Sequence, residues 1–171
     1  KQPDYGTAIA FFIATALILI VAGLDKRYVI GAIILAIIAL PLLYFFVLPS
    51  HAKTRIDVFL NPNLDPRGSG YNVLQSKLAI GSGKLLGMGI KNGSQTQLGY
   101  LYPQTTDFIY SAIGEEMGFI IAALVIVFYL ILITKAIYIA KTARDDLGSY
   151  ISAGIAGIFL FHTVENIGMT M

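Results

Sequence analysis

A chain of 171 residues in which 56% of side chains are hydrophobic, with a mean hydropathy of +0.73, is too apolar for a water-soluble domain. Its net charge of +2 argues against a nucleic-acid partner, and the absence of cysteine excludes a disulfide framework and a thiolate metal site. Tryptophan is absent too, so the ten tyrosines must supply any aromatic belt at the membrane interfaces.

In chain order, the sequence opens on Lys1-Gln2-Pro3-Asp4, with neither an initiator methionine nor a signal-peptide pattern. It ends inside the apolar run that carries Asn166-Ile167-Gly168-Met169, so it reads as a piece of a longer protein. The first apolar segment, 7–24, is the shortest of four; the others are 28–48, 117–139 and 148–171. Each is near the roughly 20 residues that cross about 30 Å of hydrocarbon. The expected fold is all-α, a polytopic transmembrane helical bundle with four spans. Pro49 is placed to end the second span. Pro41 falls inside it and removes a backbone donor, which predicts a kink, either a hinge or a tolerated break.

The links Asp25-Lys26-Arg27 and 141–147 are dense in Lys and Arg, which puts them in the cytoplasm. The layout is then two transmembrane helices over 1–48, a large extracellular loop over 49–106, and two more transmembrane helices over 107–171. The loop carries Lys53, Arg55, Arg67, Lys77, Lys84 and Lys91, with turn signals at Asn61-Pro62 and Asp65-Pro66-Arg67-Gly68-Ser69-Gly70. A short helix is expected over 71–80, followed by irregular backbone at Gly81-Ser82-Gly83, Gly87-Met88-Gly89 and Asn92-Gly93-Ser94.

Three carboxylates, Asp107, Glu115 and Glu116, stand at the mouth of the third span. Ionisable groups entering hydrocarbon are costly, so they are kept for function or paired. Thr106 is expected to cap this helix and Asp107 to occupy its first turn, where an anion suits the helix dipole. Helical spacing puts Glu115 on the face of Asp107 and Ser111, as an electrostatic neighbour, and turns Glu116 the opposite way. Each has a structural alternative: Asp107 as a charge that only stabilises the helix end, and the glutamates as partners of Arg55 or another loop base.

Asp4 falls at the outer end of the first span, and His162, Glu165 and Asn166 in the outer half of the last. His162 and Glu165 are either two metal ligands or a hydrogen-bonded packing pair. Gly81-Ser82-Gly83-Lys84-Leu85 lacks the first glycine and the hydroxyl residue of a phosphate loop. It remains either a backbone phosphate cradle helped by Lys84 or Lys91, or a flexible loop. Two classes fit these residues. One is an enzyme acting on a lipid-linked, phosphate-bearing substrate with a carboxylate base. The other is a flippase or transporter of a lipid-linked precursor that uses intramembrane acids.

Motif by motif, the chain resembles the shape, elongation, division and sporulation (SEDS) family of bacterial membrane glycosyltransferases, the RodA/FtsW-like proteins. The resemblance runs through Gln2-Pro3-Asp4-Tyr5-Gly6-Thr7-Ala8, Arg55-Ile56, Phe59-Leu60-Asn61-Pro62, Gly68-Ser69-Gly70-Tyr71-Asn72, Gln75-Ser76 and Ala79-Ile80-Gly81-Ser82-Gly83. It continues through Gly93-Ser94-Gln95, Thr106-Asp107-Phe108-Ile109, Ile113-Gly114-Glu115-Glu116 and Asn166-Ile167-Gly168-Met169, with loop wording closer to the RodA branch. The resemblance implies a longer protein of about ten helices in the bacterial cytoplasmic membrane. It would polymerise lipid II during elongation and cell-shape control, beside a class B penicillin-binding protein and in contact with membrane lipid.

Asp107 corresponds to the family's essential aspartate and would act as general base. Arg55, Lys77, Lys84 and Lys91 are candidates for the leaving pyrophosphate. Gln75, Ser76, Gln95, Thr106 and Glu115 are further substrate-binding candidates, with Asp4, Glu116 and Asn166 in support. No cofactor is implied, and a divalent cation is left open. The chain departs from the family at Tyr102-Pro103-Gln104-Thr105, where a Leu-Pro-Glu-x-His pattern is usual. It departs again at Gly83-Lys84 for Gly-Gly and at Gly87-Met88-Gly89 for Gly-Lys-Gly.

Overall fold

The structure, a computed structural model, describes residues 5–48, 50–66, 68, 70–101 and 106–170, without the side chains of Tyr5, Leu40, Val47, His51, Ala52, Arg55 and Phe59. Every regular element among these residues is helical: α1 Tyr5–Val21, α2 Lys26–Leu42, α3 Ser50–Leu60, α4 Tyr71–Gly83, α5 Ser94–Gln97, α6 Ile109–Thr142 and α7 Asp146–Thr170. Three helical stretches are long and apolar enough to cross a membrane: Lys26–Phe46, Ile109–Thr142 and Asp146–Thr170. The protein is thus a polytopic all-α membrane protein. The first expected span is shorter than its apolar run. α1 has 17 residues, roughly 26 Å at 1.5 Å per residue.

Local chemistry sets these ends. Gly23 adopts φ +91°, and Leu24 N–H donates to Leu19 O while Gly23 N–H donates to Ile20 O, the paired bonds of a glycine-terminated helix. Asp25 then accepts from Arg27 N–H at 3.0 Å and starts α2. Asp145 does the same for α7, accepting from Gly148 N–H at 2.8 Å. Both basic links therefore also carry helix caps. The α-helix that contains Pro41 ends one residue later, at Leu42, and a π-helix, Leu43–Val47, follows it. Pro49 lies outside the described residues.

The chain forms two compact units. The first comprises Lys1–Val47 and Phe128–Val164. Within it α1 meets α7 through small residues. Ala10, Ala14, Ala153 and Ala156 are buried, and a Cβ on Gly157 would lie 2.8 Å from Ala14 Cα. Such contacts let backbones approach where no hydrophobic effect drives helices together. Ser149 also hydrogen-bonds the carbonyl of Ala140 across the α6–α7 link.

The second unit comprises Leu48–Val127 and Glu165–Met171. It is more ordered than an irregular loop, because α3, a short 3-10 turn at Pro62–Leu64, α4 and α5 fill it. Gly81-Ser82-Gly83, expected to be irregular, forms the last turn of α4. Within α6, Gly118 has φ +82° and ψ 176°, so the helix is broken there. The part beyond the break, 119–142, is roughly 36 Å long, enough to span a membrane by itself.

Residues 84–89 fill that break. Glu115 O and Glu116 O, which lose their helical donors, accept from Met88 N–H at 2.9 Å and Gly89 N–H at 3.0 Å. On the other side Phe119 N–H and Ile120 N–H donate to Lys84 O and Leu85 O at 2.9 and 3.3 Å. A Cβ on Gly118 would sit 2.3 Å from Gly87 N, which is why the crossing point needs glycine.

Candidate active site around Asp107

Thr106 and Asp107 both lie in the turn that precedes α6, so Thr106 does not cap the helix and Asp107 is not in its first turn as expected, since α6 begins at Ile109. The turn is pinned on both sides. Thr106 O accepts from Asn166 Nδ2 at 3.2 Å, which ties it to the end of α7. Phe108 is buried in a small cluster with Ala79 of α4 and Leu101. Between these anchors Asp107 is exposed, and among the described residues its carboxylate has no hydrogen-bond or ion-pair partner. An acid held at a fixed backbone position yet open to solvent can accept a proton from an incoming hydroxyl.

Ser76 is fully buried beneath this turn. Its hydroxyl donates to Thr170 O at 2.8 Å, so Ser111, 2.6 Å away, supplies the proton of the Ser76–Ser111 bond. This chain links α4, α6 and α7. It makes Ser76 an internal tie between these helices.

Glu115 is likewise internal, at 0% exposure. Its two oxygens accept from Gln95 N–H at 2.8 Å and Thr96 N–H at 3.0 Å, one amide each at the start of α5. The free donors of a helix N-terminus match a carboxylate in both charge and geometry. Backbone amides are thus its partners at α5, and the Arg55 side chain, the alternative partner named from sequence, lies outside the described residues. Glu116 accepts from Gln97 Nε2 at 3.0 Å. It does not turn away from Glu115's partners as helical spacing suggested, because α5 lies across both residues.

Lys77, Lys84 and Lys91 are exposed, and Gln75 and Gln95 are half-buried. Gln95 Oε1 is buried with no hydrogen-bond partner among the described residues, while Gln95 O accepts from Leu101 N–H at 3.2 Å. Lys84 and Lys91 both adopt positive φ, 49° and 62°. The stretch considered as a phosphate cradle is helical instead, since Gly81-Ser82-Gly83 complete α4 and Lys84 N–H donates to Gly81 O at 3.4 Å. Asp4, Arg67, residues 102–105 and the Arg55 side chain lie outside the described residues. His162 is exposed and stacks edge-on against Phe161, with ring centroids 5.5 Å apart. Among the described residues no three metal-ligating side chains come together.

Sequence reasoning missed Phe108, Thr96 and the Ser111 hydroxyl as parts of this scaffold. Only Phe108, the apolar residue directly after the aspartate, carried a usable signal.

The chain matches over residues 1–171 the family described as cell cycle protein FtsW/RodA/SpoVE. It is 36% identical over 168 residues to the peptidoglycan glycosyltransferase MrdB of Escherichia coli K12, covering 98% of this chain and 45% of that protein. It is 38% identical over 170 residues to the probable peptidoglycan glycosyltransferase FtsW of Trichlorobacter lovleyi, covering 99% and 44%. To the peptidoglycan glycosyltransferase RodA of Treponema pallidum it is 42% identical over 125 residues, covering 73% and 29%. The chain thus spans less than half the length of these relatives, and identity alone does not rank the two branches. With a match along its whole length, this chain belongs to the FtsW/RodA/SpoVE family.

Proposed function

We propose that the protein to which this chain belongs is a peptidoglycan glycosyltransferase of the bacterial cytoplasmic membrane. It polymerises lipid II at the outer face, in wall elongation and cell-shape control. The observation that carries this reading is Asp107, exposed on a turn anchored at Thr106 and Phe108, in a family whose relatives are named for that activity. The loop 49–106 faces outward in this reading, and a class B penicillin-binding protein is the partner that cross-links the product.

A sugar hydroxyl is a poor nucleophile, and general-base help contributes roughly 10²–10⁴-fold. Asp107 takes the proton of the acceptor's GlcNAc 4-hydroxyl as that oxygen attacks the donor's anomeric carbon. The new C–O bond forms while the bond to undecaprenyl pyrophosphate breaks, and the electron pair leaves with the pyrophosphate. Cations offset that developing charge. Lys77 is exposed in the same unit as Asp107 and serves that role. Glu115 and Ser76 hold the scaffold and do not touch sugar.

The test is lipid II supplied to the full-length protein in vesicles with its transpeptidase partner. Glycan strands should form, and Asp107→Asn should abolish them. Lipid II movement across the vesicle membrane that persists in Asp107→Asn, with no strands from the unmodified protein, would favour the flippase instead.

A further inference from the structure

We infer that residues 84–91 form a re-entrant element that dips into the bilayer beside α6, with Leu86 and Ile90 against lipid acyl chains and Lys84 and Lys91 at the headgroup phosphates. Four apolar side chains in this short stretch point outward: Leu85 is 64% exposed, Leu86 81%, Met88 44% and Ile90 65%. Scattered single hydrophobes on a surface need no explanation, but a contiguous group bounded by charge does.

The backbone supplies the second observation. Irregular chain is tolerated at membrane depth only where its polar groups are satisfied by protein. Here Gly87, Met88 and Gly89 N–H groups are bonded, and so are the carbonyls of Lys84, Leu85 and Gly89. The segment thus exposes greasy side chains while hiding the peptide groups nearest the helix break.

Its depth is set by its partners. Residues 84–89 are bonded to the backbone of Glu115–Ile120, where the membrane-spanning part of α6 begins. Phe119 and Ile120 on that helix are 61% and 48% exposed, so the apolar surface of the segment continues the lipid-facing surface of the span. Lys84 and Lys91, both exposed, close the stretch at either end. Long cationic side chains at such positions reach back to the interface. A polar protein partner would not match this pattern, whereas acyl chains bordered by anionic phosphates do. The inference is independent of the chemistry assigned to Asp107.

The chain contains neither cysteine nor tryptophan, so single probes are readily placed. Nitroxide labels are attached at Leu86→Cys and Ile90→Cys in the full-length protein, free of other cysteines, in vesicles containing phosphatidylglycerol. Oxygen and a water-soluble nickel chelate compete to relax them. Labels at Ile131, in α6, and at Arg144, in the α6–α7 link, give the hydrocarbon and water references. Leu86 and Ile90 should show oxygen-to-nickel ratios nearer that of Ile131. Ratios nearer that of Arg144, or low access to both reagents as under a protein partner, would overturn the inference. Should either label disturb folding, Leu86→Trp gives a second readout: brominated acyl chains should quench its fluorescence, and its absence from their reach would count equally against insertion.

Discussion

The two units of this protein hold themselves together by different physics. In the first, α1 and α7 meet through alanines and glycines, and the close backbone approach at Gly157 and Ala14 is the main specific feature. In the second, the contacts are polar and directional: four backbone bonds across the break at Gly118, two amides on Glu115, and the Ser111–Ser76–Thr170 chain. A lipid-spanning bundle needs only shape, because its helices already satisfy their own peptide groups. A unit built of short helices and turns needs bonds that fix position. The comparison implies that single substitutions should be far more damaging in the second unit than in the first.

The sharpest way to break that comparison is at Gly118. Gly118→Val meets both a positive φ and a backbone nitrogen at 2.3 Å, so a loss of about 4 kcal/mol is expected from strain and overlap together. Gly31→Ala in α2, where an added Cβ meets nothing within 4 Å, should change stability by no more than about 1 kcal/mol. Thermal unfolding in detergent compares the two directly.

Next comes Glu115→Ala, which strands the Gln95 and Thr96 amides in a buried site and should cost about 3 kcal/mol. Hydrogen exchange at these two amides should accelerate, while exchange along α1 stays as it was. In the first unit, Gly157→Val should cost about 2 kcal/mol by pushing α1 from α7, again read by thermal unfolding. A larger loss there than at Gly118 would reverse the comparison. The smallest effect is a gain. Lys84 sits at φ 49° and ψ −139°, a conformation that suits glycine, so Lys84→Gly should raise stability by about 1 kcal/mol.

The same difference decides what could be read from sequence. Hydropathy located α2, the spanning part of α6, and α7, because the cost of polar groups in lipid is written in composition. Where it erred, at the end of α1, a left-handed Gly23 closed the helix before the apolar run was finished. In the second unit composition misled. Gly81 and Gly83 looked like loop residues, yet they complete α4. Glu115 was legible as an intramembrane acid with either a functional or a paired role, but its main-chain amide partners were not, since every sequence has such amides and none advertises them. Asp107 was legible as a residue through its motif, and its exposure between two buried or bonded neighbours was not.

The central claim is that the second unit exists to present Asp107 as a base, and one paired measurement on the full-length protein tests it. Lipid II polymerisation and the thermal unfolding midpoint are recorded for the unmodified protein and for Asp107→Asn. Because the carboxylate is exposed and has no partner among the described residues, the midpoint should not move. The rate should fall by roughly 10²-fold or more. An unchanged rate with an unchanged midpoint would contradict the account.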